Sequence, residues 1–154
     1  MNTKWLSLIL WVGLCLFAGF IGSFFTPGEW YLGMQKSSLT PPNIVFPIVW
    51  NILFILMGVA AWLVWEKRVQ GISLALFLFI VQLLLNILWS YLFFGIHRPD
   101  LALIEIVILW IVILFTIIAF FKADKVAGVL MMPYLAWVGF AIYLNYSFVQ
   151  LNNF

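Results

Sequence analysis

The chain has 154 residues, of which 67% are hydrophobic and 8% are charged, and its mean hydropathy is +1.20. This composition lies far outside that of soluble domains and indicates an integral membrane protein in contact with lipid. The net charge of +2 comes from scattered residues and gives no basis for binding nucleic acid, and one cysteine and one histidine form no cluster with the spacing of metal ligands.

Five apolar stretches follow one another along the chain, each close to the roughly 20 residues that a helix needs to cross about 30 Å of hydrocarbon. They cover about residues 6–25, 46–65, 72–95, 101–121 and 126–151. Apolar character that continues without alternation excludes a β-barrel, because lumen-facing and lipid-facing residues alternate along barrel strands. We therefore expect one all-α domain over residues 1–154, a bundle of five transmembrane helices.

The positive charges are divided unequally between the two ends of this bundle. With five spans, one end carries Lys4, Lys67, Arg68, Lys122 and Lys125, and the other end carries Lys36 and Arg98. Lysine and arginine are enriched in cytoplasmic loops. We therefore predict a cytoplasmic N-terminus and an outward-facing loop over residues 26–45.

The third stretch contains QLLLNILWS, residues 82–90, which places polar groups inside an otherwise apolar run. At 100° per residue, one arc of about 100° holds Gln82, Asn86, Trp89 and Ser90. Such side chains often hydrogen-bond to other helices, at about 0.6 kcal/mol each. A ligand pocket is the other interpretation, and we favour it because polar and aromatic residues gather in the outward half of the bundle.

The second and fifth stretches carry aromatic faces at comparable depth. Trp50 and Phe54 share a stripe on the second, whereas Tyr134, Ala141 and Asn145 share one on the fifth. Pro133 has no backbone N–H to donate to the carbonyl of Val129, so we predict a local bend of the helix there. Trp137 flanks the stripe of the fifth helix. Trp110, on the fourth, lies outside the predicted pocket.

Small residues on the first stretch form small-xxx-small pairs, among them Cys15 with Gly19 and Ala18 with Gly22. Such pairs let helix backbones approach closely. The surface that they form could serve either the bundle or a homodimer.

Four segments resemble, in order and spacing, the translocator protein family, also called the tryptophan-rich sensory protein or peripheral benzodiazepine receptor family. They read LTPPNIVFPIVWN at 39–51, QLLLNILWSYLFFG at 82–95, RPDLALIEIVILW at 98–110 and MMPYLAWVGFAIYLN at 131–145. The resemblance implies a five-helix membrane protein that binds porphyrins, with benzodiazepine-type ligands and sterols bound by animal members, and it implies a bacterial cell membrane for this chain. The family's motif residues map to Pro41, Pro42, Phe46, Trp50, Asn86, Trp89, Ser90, Pro133, Tyr134 and Trp137.

The chain departs from the family pattern in the outer loop and in the sterol motif. The family often has Lys-Pro-x-Trp before the Pro-Pro pair, and this chain has Lys36 followed by Ser37, Ser38 and Leu39. The proposed cholesterol motif consists of Leu or Val, then Tyr, then a cation within five residues. It is not matched at Tyr91, Tyr143 or Tyr146, which argues against sterol binding.

The resemblance implies one leading function, which is binding of a protoporphyrin-like tetrapyrrole and its light-dependent oxidative degradation. Trp50 and Trp137 are the candidate electron donors, Lys36 and Arg98 are candidate partners for the porphyrin propionates, and no cofactor is required. Axial ligation of haem by His97 is a narrower possibility. A non-catalytic carrier or sensor of porphyrin or another apolar ligand is the alternative, and a bundle without a ligand is the third.

Overall fold

The structure is a computed structural model that describes residues 3–67 and 70–154. Within these ranges it contains helices and no β-strand. The helices are α1 (Thr3–Gly22), α2 (Glu29–Leu32), α3 (Val45–Lys67), α4 (Ile72–Ser90) with a π-helical turn (Tyr91–Gly95), α5 (Pro99–Ala123) and α6 (Lys125–Asn152). In the described part of the chain, five helices are long and apolar enough to cross a membrane. The all-α, five-span fold class is confirmed.

The helix ends differ from the predicted ends by up to three residues. Apolar runs show which residues lie in the hydrocarbon, whereas a helix extends as far as its backbone hydrogen bonds. The first helix was predicted over 6–25 and ends at Gly22, after which residues 23–25 form a turn. Pro27 follows closely and disfavours helical backbone in the residue before it. Conversely, α5 begins earlier than its apolar run, at Pro99, whose missing N–H costs nothing in the first turn.

The five long helices form a closed ring in the order α1, α3, α6, α5, α4, in which each helix contacts the next and α4 contacts α1. Side chains from all five meet in a core that excludes solvent. Its largest fully buried members include Met57, Phe79, Ile113 and Tyr134. The ring brings α3 and α6, which carry the predicted aromatic faces, side by side.

The small residues of α1 pack against the bundle. Cys15 and Ala18 are buried. A Cβ atom added at Gly19 would lie 2.5 Å from the Phe54 ring of α3, and one added at Gly22 would lie 3.4 Å from the hydroxyl oxygen of Ser90 on α4. Of the two uses predicted for this surface, the structure shows packing within the chain.

Polar contacts join three helices at the end of the bundle where α1 begins. The Ser7 hydroxyl donates to Glu66 at 2.9 Å, and the Lys67 ammonium lies 3.0 Å from the Asp124 carboxylate. Asp124 also accepts from the Ala127 N–H at 3.0 Å and so caps α6. Arg68, which the charge prediction assigned to this end, lies outside the described residues.

The opposite end is closed by aromatic side chains that the sequence did not predict as a unit. The short helix α2 carries Trp30 and Tyr31. The Trp30 ring stacks on His97 with centroids 4.3 Å apart, and the Tyr31 ring stacks on Phe148 of α6 at 5.6 Å. Phe93, in the π-helical turn, contacts both Trp30 and Phe148. The loop over residues 26–45, which we call the outer loop after its predicted orientation, is therefore packed onto the bundle by its aromatic residues.

Candidate functional site

Aromatic rings of α3 and α6 meet in two successive pairs, which we call the aromatic seam: Phe46, Trp50, Tyr134 and Trp137. The Phe46 and Trp137 centroids are 6.0 Å apart, and those of Trp50 and Tyr134 are 6.1 Å apart, both pairs close to edge-to-face. This arrangement is a favourable one for aromatic pairs. All four residues were predicted site residues, and the structure brings them together.

A groove of about 500 Å³ lies beside the seam, between α3 and α6. Its walls include Val49, Leu53, Pro133, Trp137 and Phe140. Pro133 and several neighbouring wall residues are exposed on the bundle surface, so the groove opens sideways toward the membrane. Trp137 belongs both to the seam and to the groove, and it is therefore reachable from the lipid side.

The polar residues of α4 bond to neighbouring helices. The Asn86 amide donates to the Tyr134 hydroxyl at 3.0 Å, which attaches α4 to the seam. The Gln82 amide nitrogen lies 3.8 Å from the Met57 sulfur of α3, and Gln82 is fully buried. Ser90 lies near Gly22 of α1. Three residues on one face of α4 thus reach three different helices.

Trp89 and Asn145 form a separate polar contact, closer to the outer end. The Trp89 indole donates to the Asn145 side-chain oxygen at 3.0 Å. The Asn145 amide nitrogen donates in turn to the Pro99 carbonyl at 2.9 Å. Both predicted ligand-binding residues are therefore occupied by contacts within the protein.

The deep tryptophans divide into two kinds by the partner of the indole N–H. Trp89 donates to Asn145, and Trp110 donates to the Leu135 carbonyl of α6 at 3.1 Å. Trp50 and Trp137 are half-buried and, among the described residues, make no hydrogen bond through the indole N–H, whereas the Trp62 N–H is buried without a partner. The two seam indoles therefore remain available to a ligand as hydrogen-bond donors.

The remaining apolar site candidates have different surroundings. Phe54 is buried and its ring packs against Trp50 and Gly19. Ala141 is half-buried, one turn beyond Trp137 on α6. Phe54 therefore supports the seam from the α1 side, and Ala141 keeps α6 thin next to Trp137.

The outer loop is tied to α6 by hydrogen bonds. Ser37 and Tyr143 share a hydroxyl contact of 3.3 Å, and Asn152 both accepts from the Gln35 N–H and donates to its carbonyl at 2.9 Å. The Pro41 ring is half-buried and the Pro42 carbonyl accepts from Val45, the first residue of α3. These contacts hold the Pro-Pro pair directly above the start of the seam helix α3.

The two outer cations already have partners. The Lys36 ammonium lies 4.5 Å from the Tyr31 ring centroid and donates to the Met34 carbonyl at 3.2 Å. The Arg98 guanidinium makes a two-point ion pair with Asp100, at 2.6 and 2.8 Å, which raises the pKa of Arg98. A carboxylate ligand would compete with neutral partners at Lys36 and with a carboxylate at Arg98.

Glu105 is a buried residue that our sequence reasoning did not include in the site. It is 6% exposed on α5, and neither carboxyl oxygen has a hydrogen-bond partner in the described part of the chain. The sequence does contain a signal that could have identified Glu105, namely an ionisable residue inside a predicted span, because such residues are rare in membranes.

Comparison with known proteins places this arrangement in a family. Residues 11–151 match the TspO/MBR family. The chain is 46% identical to the tryptophan-rich protein TspO of Chlorobaculum tepidum, over 99% of each chain. It is 37% identical to protein CrtK of Rhodobacter capsulatus, with 90% of this chain and 88% of that protein covered, and 37% identical to the translocator protein of Homo sapiens, with 87% and 83% covered.

These matches confirm the resemblance found in the sequence motifs. They cover the seam, the polar face of α4 and the outer loop together. Because the family match spans nearly the whole chain and the relatives share more than a third of their residues with it, the chain belongs to the TspO/MBR family of membrane proteins.

Proposed function

We propose that the protein binds a porphyrin against the aromatic seam and promotes its light-dependent oxidation. The observation that carries this proposal is the pair of half-buried indoles in the aromatic seam, Trp50 and Trp137, of which Trp137 also lines the groove that opens toward the membrane.

The shape and polarity of the region suit a flat apolar ligand. The seam offers four rings on two adjacent helices, and the groove beside it is lined by apolar side chains. Small-molecule sites in proteins are typically apolar and aromatic, with a few polar groups that fix orientation. The Tyr134 hydroxyl and the Asn86 amide are both buried and bond to one another, which fixes the seam against α4.

The propionates of a porphyrin are expected at the outer end, where charge is less costly than in the hydrocarbon. Of the two cations there, we propose Lys36 as the first partner, because its present contacts are a ring and a carbonyl. Arg98 would have to exchange the Asp100 carboxylate for a propionate. A charge-assisted hydrogen bond to Lys36 would orient the ring plane relative to the seam.

The proposed chemistry needs light, the ligand and dioxygen. The bound porphyrin absorbs light, an indole in contact with it transfers one electron to the excited ring, and the reduced ring passes that electron to dissolved dioxygen to give superoxide. The indole radical cation then takes one electron back from the porphyrin, and the porphyrin radical cation combines with superoxide, so that the net reaction adds dioxygen to the porphyrin and restores the indole. Trp50 and Trp137 are the proposed donors. We further propose that the protein resides in a bacterial cell membrane with its N-terminus in the cytoplasm, as the positive charges suggest.

The test is to follow binding and degradation separately in purified protein. Adding protoporphyrin should quench tryptophan fluorescence and shift the porphyrin absorption band. Illumination in air should then bleach that band faster with protein than without it. Binding followed by bleaching at the protein-free rate would remove the catalytic part, and absence of both quenching and spectral shift would remove the binding proposal.

A carrier is the second candidate, and the sideways opening of the groove favours it. Because exposed residues such as Ile52 and Pro133 line the groove, a ligand could exchange directly with the bilayer without crossing an aqueous mouth. A carrier would move porphyrin between vesicle populations in the dark. Transfer in the dark together with unchanged bleaching in the light would select this function over the photochemical one.

A further inference from the structure

A second groove, of about 470 Å³, lies between α4 and α5 at the end of the bundle where α1 begins. Its walls are apolar and include Leu74, Leu78, Phe115 and Ala119. Its polar lining residues, Gln70 and Lys122, lie at the ends of the two helices and define what we call its mouth. The groove is therefore apolar in the membrane and polar at the surface.

The mouth of this groove is suited to an anion. Lys122 is exposed and has no carboxylate partner among the described residues, whereas the neighbouring Lys67 is paired with Asp124. Helix α4 starts after Gly71 without a side-chain cap, and Gly71 lines the groove, so the partial positive charge of this helix terminus lies beside it. No acidic residue lines the groove. The lysine, the amide side chain of Gln70 and the helix terminus all favour negative charge.

The depth of the groove is suited to a hydrocarbon chain. From Gly71 to Leu78 the helix rises by about 10 Å at 1.5 Å per residue, and Phe115 lies at a comparable distance from Lys122 on the antiparallel helix α5. The groove beside the seam offers no such mouth, because every residue lining it is apolar. Of these two grooves, the α4–α5 groove is the one that combines a cationic end with an apolar floor.

We propose that the α4–α5 groove is a binding site for an anionic phospholipid, with the phosphate at Lys122 and an acyl chain along Leu74 and Phe115. Basic pockets between transmembrane helices are a known setting for such head groups. The site is separate from the aromatic seam and does not depend on the proposed porphyrin chemistry. Bound lipid would bridge α4 and α5 at the end of the bundle.

Native mass spectrometry of the full chain tests this proposal, with dioleoyl phosphatidylglycerol and dioleoyl phosphatidylcholine as the two probes. We expect the wild-type protein to retain the phosphatidylglycerol preferentially. Lys122→Gln should lower that preference about fivefold, which corresponds to about 1 kcal/mol per basic residue near a membrane surface. Added inorganic phosphate should not displace the lipid.

Lys125→Gln is the matched control, because it removes the same charge from the same end of the bundle at an exposed position that does not line the groove. We expect it to leave the preference within twofold of the wild type. Equal retention of both lipids by the wild type, or equal losses in the two variants, would overturn the proposal. Dihexanoyl phosphatidylglycerol has the same head group on short chains and should displace bound dioleoyl phosphatidylglycerol poorly. If it displaced the bound lipid as readily as added dioleoyl phosphatidylglycerol does, the role of the apolar floor would be overturned.

Discussion

The indole N–H of Trp89 donates to the side-chain oxygen of Asn145 at 3.0 Å and joins α4 to α6. The nitrogen of the same amide donates to the carbonyl of Pro99, where α5 begins. Asn145 is only 2% exposed, so neither bond competes with bulk water. One buried amide therefore holds three helices together below the outer loop.

Asn145→Leu should destabilise the bundle, because it leaves the Trp89 N–H and the Pro99 carbonyl without partners. Hydrogen bonds between membrane helices average about 0.6 kcal/mol, and a buried group left unpaired costs about 1–3 kcal/mol. We expect a loss of at least about 1 kcal/mol in the free energy of unfolding, measured by denaturant titration in detergent micelles. Asn51→Leu is the control, since Asn51 is exposed and bonds only to the Pro47 carbonyl of its own helix. Equal losses in both variants would contradict the assignment.

The close crossing of α1 and α3 gives a second prediction. A Cβ atom at Gly58 would lie 2.5 Å from the Cα atom of Val12, so alanine at this position must push two helix backbones apart. Gly58→Ala should cost about 1–3 kcal/mol of unfolding free energy, as overpacking usually does. Gly13, on α1, has open space where its Cβ would be, and Gly13→Ala should be neutral or stabilising by up to about 1 kcal/mol. Similar melting temperatures for both variants would show that the crossing can relax.

Asp124 should make stability depend on pH at the α5–α6 turn. The Ala127 N–H and the Lys67 ammonium both favour the charged carboxylate and hold the pKa of Asp124 below its ordinary value. A lowered pKa in the folded state stabilises the protein above the unfolded-state pKa of about 3.9, and this contribution is lost as the pH falls through the folded-state pKa.

Asp124→Asn keeps a capping side chain and removes the charge, whereas Asp124→Ala removes both. At pH 7 we expect the alanine variant to lose about 1 kcal/mol of unfolding free energy and the asparagine variant to lose less. The difference between the wild type and the asparagine variant should shrink as the pH is lowered below 4. A difference that stays constant between pH 7 and pH 3 would exclude a contribution from the carboxylate charge.

The sequence was sufficient for the spans, because the length and continuity of apolar runs are set by the bilayer itself. It also identified the polar face of α4, since a 100° rotation per residue places Gln82, Asn86 and Trp89 on one side of any helix. The bonds that these residues make depend on which helices are neighbours. Residue spacing within one helix could not predict that Asn86 would reach Tyr134 or that Trp89 would reach Asn145.

The outer end was the least predictable part. The helix α2 has four residues, which is too short for a periodic pattern. The π-helical turn at Tyr91–Gly95 was predicted as ordinary helix, because a five-residue hydrogen-bond step from Ile96 to Tyr91 leaves no signature in composition. The stacking of Trp30 on His97 depends on both features and on the left-handed backbone of His97, whose φ is 55°.

Trp50 and Trp137 provide the prediction that bears most directly on function. Replacing either with phenylalanine keeps a ring in the seam but removes the more easily oxidised indole. Among the described residues the indole hydrogen bonds are those of Trp89 and Trp110, so the substitution at Trp50 or Trp137 breaks no internal hydrogen bond. Porphyrin affinity should therefore change by no more than about 1 kcal/mol, the usual scale of an aromatic contact, while light-driven loss of the porphyrin band should fall sharply.

Trp110→Phe is the matched control for these variants, because Trp110 packs between α5 and α6 and donates to the Leu135 carbonyl. It should lower stability slightly and change neither porphyrin affinity nor the bleaching rate. The decisive comparison is between the wild type and the Trp50→Phe, Trp137→Phe double variant at equal porphyrin occupancy, measured by absorption during illumination in air. Equal bleaching rates would show that the seam indoles have no chemical role, and the protein would then be a porphyrin binder or carrier whose aromatic seam serves affinity alone.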